Sequence, residues 1–462
     1  MKKLAYKIRS YIQSLKHFNA NIRSNTDKET LSTHAYFFTH VPKTGGTSLI
    51  ATLDRFFPVK DIFPYQLWWE VNDIEKVRAQ NYNFFRGHFG GGAAELLTDK
   101  EVFYFTVLRD PIKLSYSTYQ HVLRDQKTQV HDLVVNEKMD FESFLSHPKT
   151  SHLASNRIVH NFCYGENNKI DKKGTVINEK TFKAIRKHLN PIHNGLTEED
   201  CFKKALEFID NTKWFGILEH FNESLDLLCF TMVWPPVGQT AKLNRNKKPT
   251  EISSAAREQA VKTNNHDFQL YEYGLKVFKD KYQNMLTELG ADSDCDDDNI
   301  SELIDQYYQD NYLIAHQIDL KNEIKYTVGD VILGRQWHQR EWSINHHSYF
   351  CWSGPGNQSS IDFWVKPNNY EIKIKIINTV SKEFIDALDI KINNQIVDWE
   401  QHKKSSYQEI RINCKKRMIK ANGLLRIQFE GPTQKIAPGL LQSEDDREVG
   451  FALNAVTIKQ ST

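Results

Sequence analysis

At 462 residues the chain is too long for one ordinary hydrophobic core, so two domains are the natural expectation. It is 40% hydrophobic and 26% charged, with a net charge of +2, which fits a globular protein and argues against a nucleic-acid or general polyanion binder; any anion recognition has to be local. No apolar run reaches the roughly 18 residues of a membrane-spanning helix, and six cysteines standing singly, with no C-x-x-C pair, indicate neither a zinc site nor a disulfide framework.

Residues 1–33 form a basic segment without the apolar centre of a signal peptide. It reads either as a surface helix making peripheral membrane contact or as a solvated terminus. The location that fits these features and the scattered cysteines is cytoplasmic, at most peripheral at the inner membrane face.

The next stretch is the most informative. Tyr36, Phe37 and Phe38 open an aromatic and β-branched run that breaks at Pro42, passes Gly45 and Gly46, and gives way to Leu49, Leu53 and Phe56 at helical spacing. The pattern predicts strand, loop and helix. Such a loop can wrap an anion, because glycines permit close backbone approach and the first helical amides lack intrahelical partners. Lys43, Thr44, Thr47 and Ser48 add an ammonium and hydroxyls. The Lys precedes the glycines, so this is not a Walker A loop, and a plain βα turn with a charged rim remains the alternative.

A second strand is expected over 82–86, followed by Gly87, His88 and the triple glycine 90–92, which predicts a flexible or tightly turned loop. The continuous apolar run 102–108 predicts a strand buried on both faces. It stops at Arg109, where Asp110 is a good N-cap and Pro111 a good first helical residue. The helix that follows should turn Ile112, Tyr116, Tyr119 and Leu123 to the core and Lys113, Ser117, Gln120, His121 and Arg124 outward. A strand over 214–218, a helix from about residue 222, a basic loop with Arg245, Lys247 and Lys248, and a helix over 253–289 complete the pattern. Strands alternating with helices predict α/β architecture with a parallel sheet.

Residues 291–310 carry eight acidic residues and no Lys or Arg, which reads as a solvated linker passing into a short helix, here bounded at 291–319. Beyond it the period becomes two: Tyr370, Ile372, Ile374 and Ile376 alternate with charged residues. Further strands are expected over 361–365, 388–392, 424–429 and 451–458, with Asn393 and Asn394 as a hairpin turn. The expected organisation is a basic segment 1–33, an α/β domain 34–290, the acidic segment 291–319 and an antiparallel β-sandwich 320–462.

In a parallel sheet the C-terminal strand ends share one edge, where ligands bind. Lys43 with its glycines, His88 and Arg109 should therefore converge, Arg109 and Ser117 meeting a second anionic group of the same ligand. The run from His40 through Ser48 resembles the loop of carbohydrate sulfotransferases that binds the 5′-phosphosulfate of 3′-phosphoadenosine 5′-phosphosulfate (PAPS). Arg109, Asp110 and Pro111, with Ser117 eight residues after the Arg, resemble their 3′-phosphate site. The stretch from Leu108 through Val122 is most similar to heparan sulfate 6-O- and 2-O-sulfotransferases, and the resemblance extends over residues 34–285. It implies a P-loop-like sheet, PAPS as co-substrate without a metal, and sulfuryl transfer to a hydroxyl of a saccharide or polysaccharide. It also implies binding of the phosphosulfate by Lys43, Thr44, Gly45, Gly46, Thr47 and Ser48, Lys43 at the leaving oxygen, and His88 as general base. Glu95 or Glu219 is the alternative base. Arg86, Lys113, His121, Arg124, Arg157, Trp68 and Trp69 are candidates to meet the acceptor. The run from Asp446 to Ala452 is similar to accessory β-domains of bacterial polysaccharide enzymes, which suggests a glycan-binding sandwich. A non-catalytic glycan-binding protein with a sulfotransferase-like fold is the competing reading.

Overall fold

A computed structural model describes residues 33–238, 252–291, 295–381, 383–435 and 447–461. The N-terminal segment up to residue 32 and the basic loop with Arg245, Lys247 and Lys248 lie outside the described residues.

The first half is built on four parallel strands: β1 (His34–Thr39), β2 (Phe84–Gly87), β3 (Glu101–Leu108) and β4 (Trp214–Ile217), in the order β2-β1-β3-β4. Phe37 and Phe38, adjacent and so on opposite faces, are both fully buried, as a sheet covered by helices on both sides requires. Register sets the functional edge. Thr39 pairs with Gly87 and Thr106, and Leu108 with Ile217, so β1 and β2 end level while β3 and β4 run two residues further.

Helix starts follow local chemistry. Asp110 caps the Pro111–Arg124 helix by accepting from the Lys113 amide at 2.8 Å. That helix buries Leu114, Ser115, Ser117, Thr118 and Val122, so Ser117 is not on an outward face as its neighbours suggested. Small side chains allow close packing, and the Ser115 and Thr118 hydroxyls are satisfied by the carbonyls of Ala154 and Leu114. The helix expected over 253–289 is two, Ser254–Thr263 and Asn265–Leu289, because Asn264 at the junction turns inward to receive the Asn156 amide at 3.0 Å.

The acidic stretch passes into a helix, as expected, but the helix is long and packed where a short solvated one was expected. Asp297–Ala315 is a helix of 19 residues whose Ile300, Ile304, Tyr308 and Tyr312 are buried, and the acidic residues that mark the stretch as solvated mostly occupy its other faces. Tyr312 stacks on Trp364 with ring centroids 5.6 Å apart, and Asp305 receives Arg426 at 2.6 and 2.8 Å.

Among the described residues the C-terminal half holds a four-stranded and a seven-stranded antiparallel sheet, with a two-stranded pair, Gln434–Lys435 and Glu448–Val449, beside them. The two larger sheets share a core that includes Ile361, Ile372, Ile374, Ile427 and Val456. Asn393 and Asn394 both adopt positive φ, 47° and 68°, in the two-residue turn between Asp389–Ile392 and Gln395–Ile396. The halves interlock: Trp364 and Leu424 join the core of the first half, and Val59 joins the core of the second. No helix among the described residues is long and apolar enough to cross a membrane.

Candidate functional site

The loop after β1 is braced from within. The Thr44 hydroxyl donates to the Val41 carbonyl at 2.8 Å, so it shapes the loop and is not turned to a ligand. Lys43 adopts φ 73° and Gly45 φ 78°, both left-handed, and Gly45 N-caps the Gly46–Leu53 helix without a side-chain cap. The amides of Gly45, Gly46 and Thr47 consequently have no backbone partner among the described residues. Arg109 reaches over from the end of β3 and donates from Nη1 to the Lys43 carbonyl at 2.6 Å. Its Nε is buried with no partner among the described residues.

Positive charge gathers here. Burial, then Arg124 and Arg109, lower the Lys43 pKa, and Lys43 has no carboxylate partner among the described residues. Burial also lowers Arg109, against the opposing pull of Glu219 and Asp110.

His88 follows β2 directly. Its Nδ1 lies 2.9 Å from the His40 carbonyl oxygen, so Nδ1 carries the proton and Nε2 keeps a lone pair. The His40 ring lies 4.3 Å from the His88 ring, centroid to centroid, and also covers Gly46, where a Cβ would come within 2.0 Å of Nε2 of His40. Burial lowers the His88 pKa, the His40 hydrogen bond opposes that, and Arg157 and Lys43 lower it further. His40 is held well below the ordinary imidazole value by burial, His88 and Lys43. Both imidazoles are neutral at pH 7.

The triple glycine is close packing, not looseness. A Cβ on Gly90, Gly91 or Gly92 would meet backbone of Tyr164, Phe162 or Glu166 at 2.5, 2.2 or 2.6 Å, so the loop lies directly on the end of the Arg157–Cys163 helix.

The structure therefore brings together Lys43, Gly45, Gly46, Thr47, Ser48, Arg109 and His88. Ser117 is two turns into the next helix, buried, and no described contact joins it to the loop. Of the alternative bases, Glu219 receives the Asp110 amide and the Tyr271 hydroxyl at 3.2 Å each and faces Lys113 at 3.6 Å, a bracing position. Glu95 is exposed and bonded to Asn168 at 3.2 Å. Among the acceptor candidates, Arg86 is fully buried on Asp54 at 2.8 Å, and Trp68 is core, its Nε1 donating to the Phe89 carbonyl at 3.0 Å. Sequence reasoning gave no separate role to His40 and missed Gln66 and Gln339. His40 stood inside the recognised loop; the two glutamines have no local signal.

A scan against protein-family models gives no match for this chain, and a search of curated proteins gives none. Among solved structures, a similar chain is a family GH115 4-O-methyl-α-glucuronidase, BtGH115A, described as having specificity for decorated arabinogalactans. The identity is 9% and the TM-score 0.21, over 78% of this chain and 51% of that one, so the chain spans about half the length of that protein. A likeness of this size carries no argument about the site.

The residues around the loop offer donors to an anionic group. Three amides without a backbone partner among the described residues share the loop with the Thr47 and Ser48 hydroxyls and the Lys43 ammonium, and the orphaned Nε of Arg109, whose Nη1 holds the loop, is a further donor beside it.

Proposed function

We propose that the protein is a PAPS-dependent carbohydrate O-sulfotransferase on a P-loop-like sheet. The observation that carries this reading is His88: a neutral imidazole with Nδ1 tied to the His40 carbonyl and Nε2 without a partner among the described residues, on the same sheet edge as the Lys43 loop. An unpaired base beside an anion cradle is what transfer to a hydroxyl needs, and simple anion binding would not require it.

PAPS, when bound, supplies the sulfuryl group and a phosphate as leaving group. Amides 45–47, Lys43 and the Thr47 and Ser48 hydroxyls would hold the phosphosulfate, and Arg109 with Ser117 the 3′-phosphate. Lys43 donates to the oxygen on which negative charge grows. His88 Nε2 accepts the proton of the attacking saccharide hydroxyl, and its bond to the His40 carbonyl fixes the ring.

The test joins binding and turnover. The chain should bind 3′-phosphoadenosine 5′-phosphate in calorimetry, with Arg109→Ala weakening it, since that change removes donors and releases the Lys43 carbonyl. His88→Ala should lower transfer from labelled PAPS to a polysaccharide panel by about 10²–10⁴-fold with nucleotide affinity nearly unchanged. Preference for ATP with magnesium would overturn the assignment. Nucleotide binding without transfer to any polysaccharide would favour the non-catalytic glycan-binding reading.

A further inference from the structure

One wall of the cavity beside His88 comes from the β-sandwich. The cavity, about 110 Å³, is lined by Thr47, Ile50 and Ala51 of the Gly46–Leu53 helix, by His40, His88 and Gln66, and by Gln339 and Arg340 of the Trp337–Ser343 strand. That is room for several waters or one sugar ring.

Most charged groups in the lining already have partners. Asp54 receives Arg86 at 2.8 and 3.2 Å. Arg340 donates to the carbonyls of Val328, Asp54, Phe57, Arg55 and Asp330, and Arg55 to those of Ile332 and Gly334. The His88 Nε2 lone pair, the Thr47 hydroxyl and the carboxamides of Gln66 and Gln339 have no hydrogen-bond partner among the described residues. Each carboxamide offers two donors and an acceptor, the complement of neighbouring hydroxyls on a pyranose.

A backbone irregularity aims Gln339 inward. Successive residues of a regular strand face opposite sides, yet Gln339 and Arg340 both line the cavity. Trp337 pairs with Ser353 but Arg340 with Cys351, so the Trp337–Ser343 strand holds an extra residue at this point. Such bulges re-aim side chains. Arg340, buried on the carbonyls of Asp54, Arg55 and Phe57, fastens the bulge to the end of the helix behind the Lys43 loop.

We propose that the β-sandwich completes the acceptor pocket, with Gln339 and Gln66 gripping the hydroxyls of one pyranose ring and presenting another to His88. The presentation to His88 rests on the transferase reading; the grip does not.

The experiment uses the full chain and reads sugar binding without turnover. Saturation-transfer NMR with methyl β-D-glucopyranoside and methyl β-D-glucopyranosiduronate, each with saturating 3′-phosphoadenosine 5′-phosphate, should show binding of at least one probe. Gln339→Leu, which keeps volume and removes the carboxamide, and Gln66→Leu should each weaken it about tenfold, the worth of one or two hydrogen bonds. Melting temperature and nucleotide affinity serve as folding controls, and Gln339→Ser replaces Gln339→Leu if that variant does not fold. Absence of binding of both probes by the unaltered chain, or undiminished binding by folded Gln339 and Gln66 variants, overturns the pocket. Sugar binding without sulfuryl transfer would keep the pocket and sink the transferase. Transfer with kcat/KM unchanged in Gln339→Leu would do the reverse.

Discussion

His88 is oriented by a backbone carbonyl, with no carboxylate partner among the described residues, and this sets its pH behaviour. A carboxylate would stabilise the imidazolium, whereas burial and the nearby Lys43 and Arg157 disfavour it. Transfer activity should therefore stay flat down to below about pH 6.5, the ordinary imidazole value, and fall only as pH drops through the lowered pKa. Stability follows the same sign. Below pH 6.5 the unfolded chain takes up protons that folded His40 and His88 refuse, so their contribution is full above that pH and is lost as pH falls. Urea midpoints between pH 7.5 and 5 should decline, and less in His40→Gln; a midpoint that does not move would contradict the buried, neutral pair. Gly46 is a further residue-scale test. A Cβ there would sit 2.0 Å from His40 Nε2, so Gly46→Ala should cost about 1–3 kcal/mol in chemical denaturation and weaken nucleotide binding. The glycine loop was legible in the sequence, but its reason was only half so: Gly45 serves conformation, Gly46 proximity to His40.

The Asp297–Ala315 helix shows how a charge run conceals a packed element. Ile300, Ile304, Tyr308 and Tyr312 recur every four residues, the period of a buried helical face, but acidic neighbours dominate the composition. Arg426 lies between Asp305 and Asp362, 2.6–2.8 Å from their carboxylates, and Arg335 adds a weaker contact to Asp305 at 3.5 Å. Removing the central cation strands two buried carboxylates, so Arg426→Met should destabilise by about 3–5 kcal/mol in urea unfolding. A loss under 1 kcal/mol would show that the network holds no buried charge in place. The Pro111–Arg124 helix teaches the complementary lesson: its start was readable from Asp110 and Pro111, but its buried face was not, because serines and a threonine pack inward once carbonyls satisfy their hydroxyls.

At the scale of the molecule the two halves share structure. The Val59 amide donates to the Gly329 carbonyl at 2.8 Å and the Ile332 amide to the Arg55 carbonyl at 2.7 Å, while Arg340 crosses the same seam. The seam runs along the segment that ends the Gly46–Leu53 helix, so the sandwich bears on the cavity next to the anion loop. An accessory domain on a linker, as the composition suggested, would have left that cavity open on one side.

Much of this protein follows from the sequence alone: the parallel-strand runs, the capped helix after Arg109, the period-two strands with their Asn-Asn turn, and the identity of the loop residues. These depend on contacts within a few residues, which pattern and propensity report directly. Tertiary structure alone decided that Arg109 grips the Lys43 carbonyl, that His40 orients His88, that Arg86 and Trp68 are interior, and that Gln339 reaches the cavity through a bulge. Those pairings join residues up to hundreds of positions apart. They are set by strand register and by where buried polar groups find partners, which no local window contains.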